Sequence, residues 1–180
     1  EERYGEILPL HRENIAISTK FDARTSDGAA AEVERSLQRL KTDYVDILMM
    51  HNIIATDDLA VIEQGAYRRL VQLKEEGVAR YIGFSSMSSA AKSKELLENL
   101  DFDIVMLALN PTQYGDYAQT VLPVAREKKV GVIAMKVMRD LIGVPATAKE
   151  LLEYAWTLDG VSSAVIGQFG TEVQQENIGL

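Results

Sequence analysis

The chain of 180 residues contains 47% apolar side chains, which is enough for one compact domain with a substantial core. Its net charge is −8, and its 19 lysines and arginines are scattered along the sequence, which argues against a surface for nucleic acids or anionic membranes. Because cysteine is absent, disulfides, thiolate metal sites and thiol nucleophiles are excluded. No apolar run approaches the ~20 residues of a membrane span, and the first residues do not resemble a signal peptide, so we expect a cytoplasmic protein.

Short apolar runs alternate with longer amphipathic stretches six times along the chain. In chain order, the predicted strands span 14–20, 44–52, 81–86, 103–110, 131–137 and 162–168. The helix predicted after each of these strands spans, in the same order, 29–41, 57–77, 88–100, 117–129, 146–160 and 171–178. Gly77 and Gly160 are typical helix stops. Pro123 is expected to kink its helix or delay its start.

Strands that are apolar nearly throughout, each followed by a helix, indicate a parallel sheet covered by helices. No Gly-x-Gly-x-x-Gly and no Walker lysine loop follows a strand, so the two common nucleotide-binding loops are not indicated. In a (β/α)8 TIM barrel the functional residues would instead lie at the C-terminal ends of the strands. We therefore predict a single α/β domain over residues 1–180, although six units are two short of a closed barrel.

Polar residues stand where the predicted strands end, and in a barrel they would converge on one mouth. They are Lys20, His51, Ser85, Ser86, Asn110, Lys136, Gly167 and Gln168. Three roles are compatible with Lys20: a cation that lowers the pKa of a neighbouring acid, a Schiff-base amine, or a structural lysine at the sheet rim. Two roles are compatible with His51: it donates a hydrogen bond or proton to a substrate oxygen, or it is a structural histidine. Lys136 interrupts an apolar run, where a lysine needs water or a partner.

Four stretches resemble the aldo-keto reductase family: ISTK (17–20), AEVERSLQRLKTDYVDILMMH (31–51), VARYIGFSS (78–86) and VIGQFGTEVQQEN (165–177). The resemblance covers essentially the whole chain, and SLxRLxTDYVDxxxxH is a specific signature. It implies a (β/α)8 barrel that transfers hydride between NADP(H), in fewer members NAD(H), and a carbonyl or alcohol, with no metal. The implied partner is a small-molecule carbonyl or alcohol.

The resemblance also implies catalytic roles. His51 matches the histidine that polarises or orients the substrate carbonyl, and Lys20 matches the lysine that lowers the pKa of a catalytic tyrosine. That tyrosine, and an aspartate that pairs with the lysine, precede the position of Glu1 in the family; Tyr4 lies inside a helix pattern and is no substitute. The six units would then be strands three to eight of an N-terminally incomplete barrel. We expect the protein to carry the upstream segment, because a six-stranded remnant would expose two sheet edges.

The cofactor positions implied by the resemblance include two pairs. Ser85 and Ser86 match a Ser-Asn pair that binds the nicotinamide carboxamide, and Glu176 and Asn177 match a Glu-Asn pair that holds the adenine. Other positions depart from the family. Met106 stands where the family has an amide-binding glutamine, Met135 where it has a tyrosine stacked on the nicotinamide, and Lys136 where it has a serine. Gly167, next to Gln168, and Val173 stand where many members have the lysine and the arginine that clamp the 2′-phosphate. NADP(H) is the family's usual cofactor, but without these cations NAD(H) is an alternative.

Two other hypotheses are compatible with the same residues. A Schiff-base aldolase barrel would use Lys20 or Lys136 as its amine, and a non-catalytic sensor or regulatory subunit would bind nicotinamide cofactor without turnover. Substrate choice in the family depends on the loops after the strands. In this chain the loop residues suited to contact a ligand are Tyr114, Tyr117 and Arg139.

Overall fold

The computed structural model describes residues 1–111, 115–138, 145–167 and 170–179. Within these ranges six strands form one sheet in the order β1 to β6, and every neighbouring pair is parallel. The strands are β1 Ser18–Phe21, β2 Val45–Met50, β3 Ala79–Ser86, β4 Ile104–Ala108, β5 Gly131–Met135 and β6 Val161–Ala164. The predicted parallel sheet is confirmed, and its unbroken strand order fits six consecutive strands of a (β/α)8 barrel.

Helices follow the strands as predicted. A short helix, α1 Glu2–Gly5, precedes β1, and α2 Ser26–Leu40 follows it. The later helices are α3 Leu59–Ile62 and α4 Arg68–Glu75 after β2, α5 Ala90–Asn99 after β3, α6 Gly115–Thr120 and α7 Leu122–Glu127 after β4, α8 Ala148–Thr157 after β5, and α9 Thr171–Ile178 after β6. Pro123 has the predicted effect, since the helix breaks before it and resumes with this proline in the first turn of α7.

The helix predicted over 57–77 is interrupted by a π-helical turn, Glu63–Tyr67, between α3 and α4. At this turn the helix approaches the backbone of the loop after β1. Ala66 N–H donates a hydrogen bond of 3.0 Å to the carbonyl oxygen of Arg24. A Cβ atom on Gly65 would lie 2.3 Å from that same oxygen, so a side chain here would clash with backbone. Glycine at this position therefore permits the helix to touch the loop.

Every strand except β3 is shorter than predicted. β1 begins at Ser18 because Arg12–Asn14 form a 3₁₀ turn and the N–H of Ile17 donates to the carboxylate of Asp46. β5 ends at Met135 because Lys136 has a φ of 60°, which lies outside the strand region. β6 ends at Ala164, and the last predicted position, Gln168, lies outside the described residues.

The two faces of the sheet carry different apolar clusters. The larger cluster includes Leu48, Phe84 and Val105 and packs against the helices. The smaller cluster occupies the opposite face and consists of Met49, Met106, Ala108, Ile133 and Met135. Because strand side chains alternate between faces, the smaller cluster corresponds to the interior of the barrel. Lys20 is paired with Met49 in register, so its side chain belongs to this interior face.

Candidate active site

A cleft of about 570 Å³ opens at the C-terminal ends of the strands. Its lining residues are Lys20, Met106, Met135, Lys136, Val137, Met138, Val165, Ile166 and Gly167. The first and last strands of the sheet thus both contribute to one cleft, as a sheet curved into a barrel wall requires. The lining is apolar apart from two lysines, which makes those lysines the candidates for polar chemistry in the cleft.

Lys20 is half-buried on β1. Burial, and in second place the positive charge of Lys136, hold the pKa of the Lys20 ammonium below the ordinary lysine value. Among the described residues, neither lysine forms an ion pair or a side-chain hydrogen bond. The cleft therefore contains two cations whose charges are not neutralised by a neighbouring carboxylate of the described chain, an arrangement that attracts an anion or an acidic hydroxyl.

Lys136 follows the last residue of β5 and is exposed at the cleft. Its φ of 60° is a left-handed conformation that costs free energy for a side-chain-bearing residue. The amide nitrogen of Asn110 donates to its carbonyl oxygen at 3.2 Å, which helps to hold this backbone. The polar residues predicted at the ends of β4 and β5 are thus joined by a direct contact.

His51 follows the last residue of β2, and its backbone N–H extends the ladder with β1 through a 2.8 Å bond to Phe21 O. Its ring nitrogen Nδ1 lies 2.8 Å from Oδ1 of Asp22. Half of the His51 side chain is exposed, at 50%. By strand alternation His51 lies on the same face as Lys20, although His51 is not among the described residues that line the cleft.

Arg24 connects the two strand ends that carry Lys20 and His51. Its guanidinium donates to the carbonyl oxygens of Asp22, His51 and Asn52 at 2.9, 3.0 and 3.2 Å. It also forms a two-pronged pair with Asp57, at 3.0 and 3.1 Å. Burial raises the pKa of Asp57, but the hydrogen bonds from Arg24 and from the N–H of Ile54 outweigh it and lower that pKa below the ordinary value.

Ser85 and Ser86, predicted to contact the nicotinamide carboxamide, are both buried at the end of β3. The hydroxyl of Ser85 accepts the N–H of Asn52 at 3.0 Å. The hydroxyl of Ser86 donates to Ile53 O at 3.1 Å and lies 2.8 Å from the hydroxyl of Tyr117. In this conformation both serines brace the chain that follows His51.

Tyr117, predicted as a possible ligand contact, is buried, and its hydroxyl also accepts the N–H of Ser89. Its observed role is therefore packing between α6 and the end of β3. The two other loop candidates, Tyr114 and Arg139, lie outside the described residues.

Of the remaining predicted cofactor residues, Met135 and Gly167 line the cleft. Glu176 and Asn177 lie on α9, where Glu176 is exposed and Nδ2 of Asn177 is buried without a hydrogen-bond partner among the described residues. A buried amide donor without a partner is costly, so the Asn177 side chain is suited to an acceptor atom of a bound molecule.

A model of the aldo/keto reductase family matches residues 1–142. The chain belongs to the aldo/keto reductase family. The uncharacterized oxidoreductase YqkF of Bacillus subtilis is 27% identical over 146 residues, which are 74% of this chain and 45% of that protein. D-threo-aldose 1-dehydrogenase of a Pseudomonas species is 35% identical over 115 residues, which are 63% of this chain and 34% of that protein. The chain thus spans less than half the length of these curated relatives.

A solved structure described as an aldo-keto reductase from Pseudomonas aeruginosa superposes on this aldo/keto reductase with a TM-score of 0.80. The two are 23% identical, and the match covers 98% of this chain and 70% of the other. At that identity the likeness shows the barrel fold. In the described part of the chain, no helix is long and apolar enough to cross a membrane, and no cluster of three acidic or histidine side chains is arranged to hold a metal ion.

Asp22 and Arg24 of this aldo/keto reductase were not predicted from the sequence. Both lie in the segment FDARTSDG, which reads as a polar loop. One signal was available: Asp22 stands two residues after Lys20, the spacing that keeps a side chain on the same strand face. The contacts of Arg24 with three carbonyl groups have no counterpart in a sequence pattern, because they depend on how β1 and β2 end in space.

Proposed function

We propose that this aldo/keto reductase transfers hydride between a nicotinamide cofactor and the carbonyl or alcohol group of a small molecule, with Lys20 and His51 as catalytic residues. The observation that carries the proposal is that both residues stand at the C-terminal ends of neighbouring parallel strands, where Lys20 lines the cleft. Family membership supports it, as do relatives named as an oxidoreductase and a dehydrogenase.

In this mechanism the two residues divide the work. The ammonium of Lys20 lowers the pKa of the catalytic tyrosine, which in the family precedes the position of Glu1, by stabilising its oxyanion form. The ring of His51 hydrogen-bonds the substrate oxygen and orients the carbonyl. The nicotinamide, when bound, supplies or receives the hydride. The apolar walls of the cleft, formed by methionine and branched aliphatic side chains, exclude water from the reacting atoms.

The residues proposed to contact the cofactor are Ser85, Ser86, Met135, Lys136, Gly167, Gln168, Glu176 and Asn177. Two features fit a dinucleotide: the buried amide donor of Asn177 suits an acceptor on the adenine, and the exposed ammonium of Lys136 suits a phosphate oxygen. We propose NADP(H), the usual cofactor of the family, as the cofactor. NAD(H) is the alternative, because Gly167 and Val173 bring no positive charge to a 2′-phosphate. The proposal includes a cytoplasmic location, which cell fractionation tests.

Steady-state assays with both reduced cofactors and a panel of aldehydes and ketones test the proposal. We expect turnover, and we expect His51→Ala to lower kcat by roughly 100-fold or more while cofactor affinity, measured by fluorescence titration, stays nearly unchanged. The exposed His11→Ala is the matched control. Unchanged kcat in His51→Ala would refute the role of His51.

The same assays separate the alternatives. Tight cofactor binding without any turnover would favour a sensor. The lowered pKa of Lys20 favours an amine nucleophile, so covalent trapping of a carbonyl substrate on Lys20 by borohydride would favour an aldolase. If no substrate is trapped and reduction proceeds, the aldolase hypothesis is wrong.

A further inference from the structure

The second lysine of the cleft, Lys136, extends the proposed function, on which this inference rests. We propose that Lys136 is a specificity-determining residue whose ammonium binds a carboxylate of the substrate, so that the preferred substrates are short aliphatic aldehydes or ketones that carry a carboxylate. The carbonyl group of such a compound lies on the side of Lys20, and its carboxylate lies on the side of Lys136.

The backbone directs the Lys136 side chain into the cleft. Side chains alternate along β5: Ala134 belongs to the cluster that packs against the helices, and Met135 belongs to the interior cluster. Continued alternation would put Lys136 on the helix side. Its φ of 60° ends the strand instead, and Lys136 lines the cleft.

Hydrogen bonds from the end of β4 hold this turn. The N–H of Leu109 donates to the carbonyl oxygen of Met135 at 3.1 Å, and the amide nitrogen of Asn110 donates to that of Lys136 at 3.2 Å. A left-handed conformation costs free energy for a residue with a side chain, and such residues cluster at functional sites and ligand clamps. The observed strain therefore points to a role for the ammonium that it brings into the cleft.

Lys20 and Lys136 lie on opposite sides of the cleft. Their strands β1 and β5 are four steps apart in the order of the sheet, which is half of the circumference of an eight-stranded barrel. Burial and, in second place, the charge of Lys136 lower the pKa of the Lys20 ammonium, so the two charges are close enough to interact. A substrate between them has one cation at each end.

The two cations are not equally available to a substrate anion. In the family, an upstream aspartate pairs with the lysine that Lys20 matches, and that ammonium serves the catalytic tyrosine. Lys136 stands where the family has a serine, and the described residues that line the cleft include no carboxylate. An ammonium has three N–H donors, so a contact of Lys136 with a cofactor phosphate leaves donors for the substrate. A carboxylate matches its single charge.

The rest of the lining indicates an aliphatic substrate. Apart from the two lysines and Gly167, the described residues around the cleft have apolar side chains: Met106, Met135, Val137, Met138, Val165 and Ile166. Against such walls a sugar would leave most of its hydroxyl groups without hydrogen-bond partners, which costs free energy. A short hydrocarbon chain between a carbonyl group and a carboxylate is instead buried favourably.

A pair of matched probe substrates tests the preference for a charge. Succinic semialdehyde carries a carboxylate, and its primary amide has the same length without the charge. With reduced cofactor, we expect the native protein to have the higher kcat/KM for the acid. Lys136→Met should lower kcat/KM for the acid roughly 10-fold to 100-fold, the usual effect of losing a hydrogen bond between charged groups, and leave that for the amide nearly unchanged. Lys136→Arg keeps the charge and should retain most of the preference.

Lys129→Met is the matched control. Lys129 is exposed, has a φ of 58° and lies just before β5, at the opposite end of the same strand. This variant removes a lysine from a similar backbone conformation outside the cleft, and its kcat/KM for both substrates should equal the native values. A native protein that does not prefer the acid, or equal losses for acid and amide in Lys136→Met, would overturn the proposal. Equal losses together with weaker cofactor binding would mean that Lys136 serves the cofactor alone.

Binding of succinate, which has no aldehyde to reduce, separates this inference from the proposed function. In NMR spectra of the protein with labelled lysine side chains, Lys136→Met assigns the Lys136 signal. We expect succinate to shift that signal and the uncharged succinamide to leave it in place. A protein that shows this shift but reduces no carbonyl compound would refute the proposed function and retain the carboxylate site. An unshifted signal would overturn the inference, even in a protein that reduces aldehydes.

Discussion

Replacing Arg24 by methionine should destabilise the protein strongly, because this one guanidinium serves four partners. It donates two bonds to the carboxylate of Asp57 and three to main-chain oxygens of Asp22, His51 and Asn52. The Arg24 and Asp57 side chains are 21% and 10% exposed. Methionine keeps most of the aliphatic stem and removes every one of these donors.

The size of the loss in the free energy of unfolding depends on the carboxylate of Asp57, which stays buried without its cationic partner. Removing one partner of a buried ion pair typically costs about 3–5 kcal/mol, because the other charge remains buried. Here the carboxylate of Asp57 keeps the N–H of Ile54 at 2.9 Å, and part of the pair reaches solvent. We therefore expect a loss of about 3 kcal/mol in the free energy of unfolding at pH 7.

The loss should also depend on pH. Asp57 has a folded-state pKa below its unfolded value, so its contribution to stability is present above the ordinary aspartate pKa and disappears as pH falls through the lowered one. The destabilisation by Arg24→Met should accordingly shrink in acid. Adding Asp57→Asn to Arg24→Met removes the orphaned charge and should recover part of the loss at pH 7.

Urea unfolding followed by circular dichroism measures these differences. Arg35→Met is the matched control, since Arg35 lies exposed on α2, and should change stability by less than about 0.5 kcal/mol. A loss in Arg24→Met below about 1 kcal/mol, or one equal to that of the control, would mean that the buried Arg24–Asp57 pair does not hold the strand ends.

Two further changes probe the same region. Gly65→Ala would place a Cβ atom 2.3 Å from the backbone oxygen of Arg24, so the π-helical turn must shift, and we expect a loss of at least about 2 kcal/mol in the same unfolding assay; a neutral result would show that the helix does not need this close approach. Lys136→Gln removes the positive charge that helps to lower the pKa of Lys20, so NMR titration of the Lys20 side chain should give a higher pKa. An unchanged or lower pKa would mean that the two ammonium groups do not interact.

The strands were predictable because a parallel strand buried on both faces leaves a long apolar run in the sequence. The break at Pro123 was predictable for an equally local reason, the missing N–H of proline. The π-helical turn was not, since Gly65 inside an amphipathic pattern resembles any tolerated helix glycine. The turn lies where the helix contacts Arg24, about forty residues away in the chain.

The candidate site was predictable in part. The rule that barrel chemistry lies at strand ends drew attention to Lys20, His51 and Lys136, and the structure brings both lysines into one cleft. The partner of His51 was not predicted, because Asp22 belongs to a loop whose composition indicates only that it is polar. That contact depends on the register between β1 and β2, which a single sequence does not specify.

Transfer of deuterium from a reduced nicotinamide that carries deuterium at both positions of its reactive ring carbon is the decisive test of hydride transfer. The protein is incubated with the labelled reduced cofactor and an aldehyde, and the product is analysed by mass spectrometry. We expect one deuterium on the former carbonyl carbon, and much slower transfer in His51→Ala. A product alcohol without deuterium, or an aldehyde left unreduced while the cofactor is bound, would contradict it.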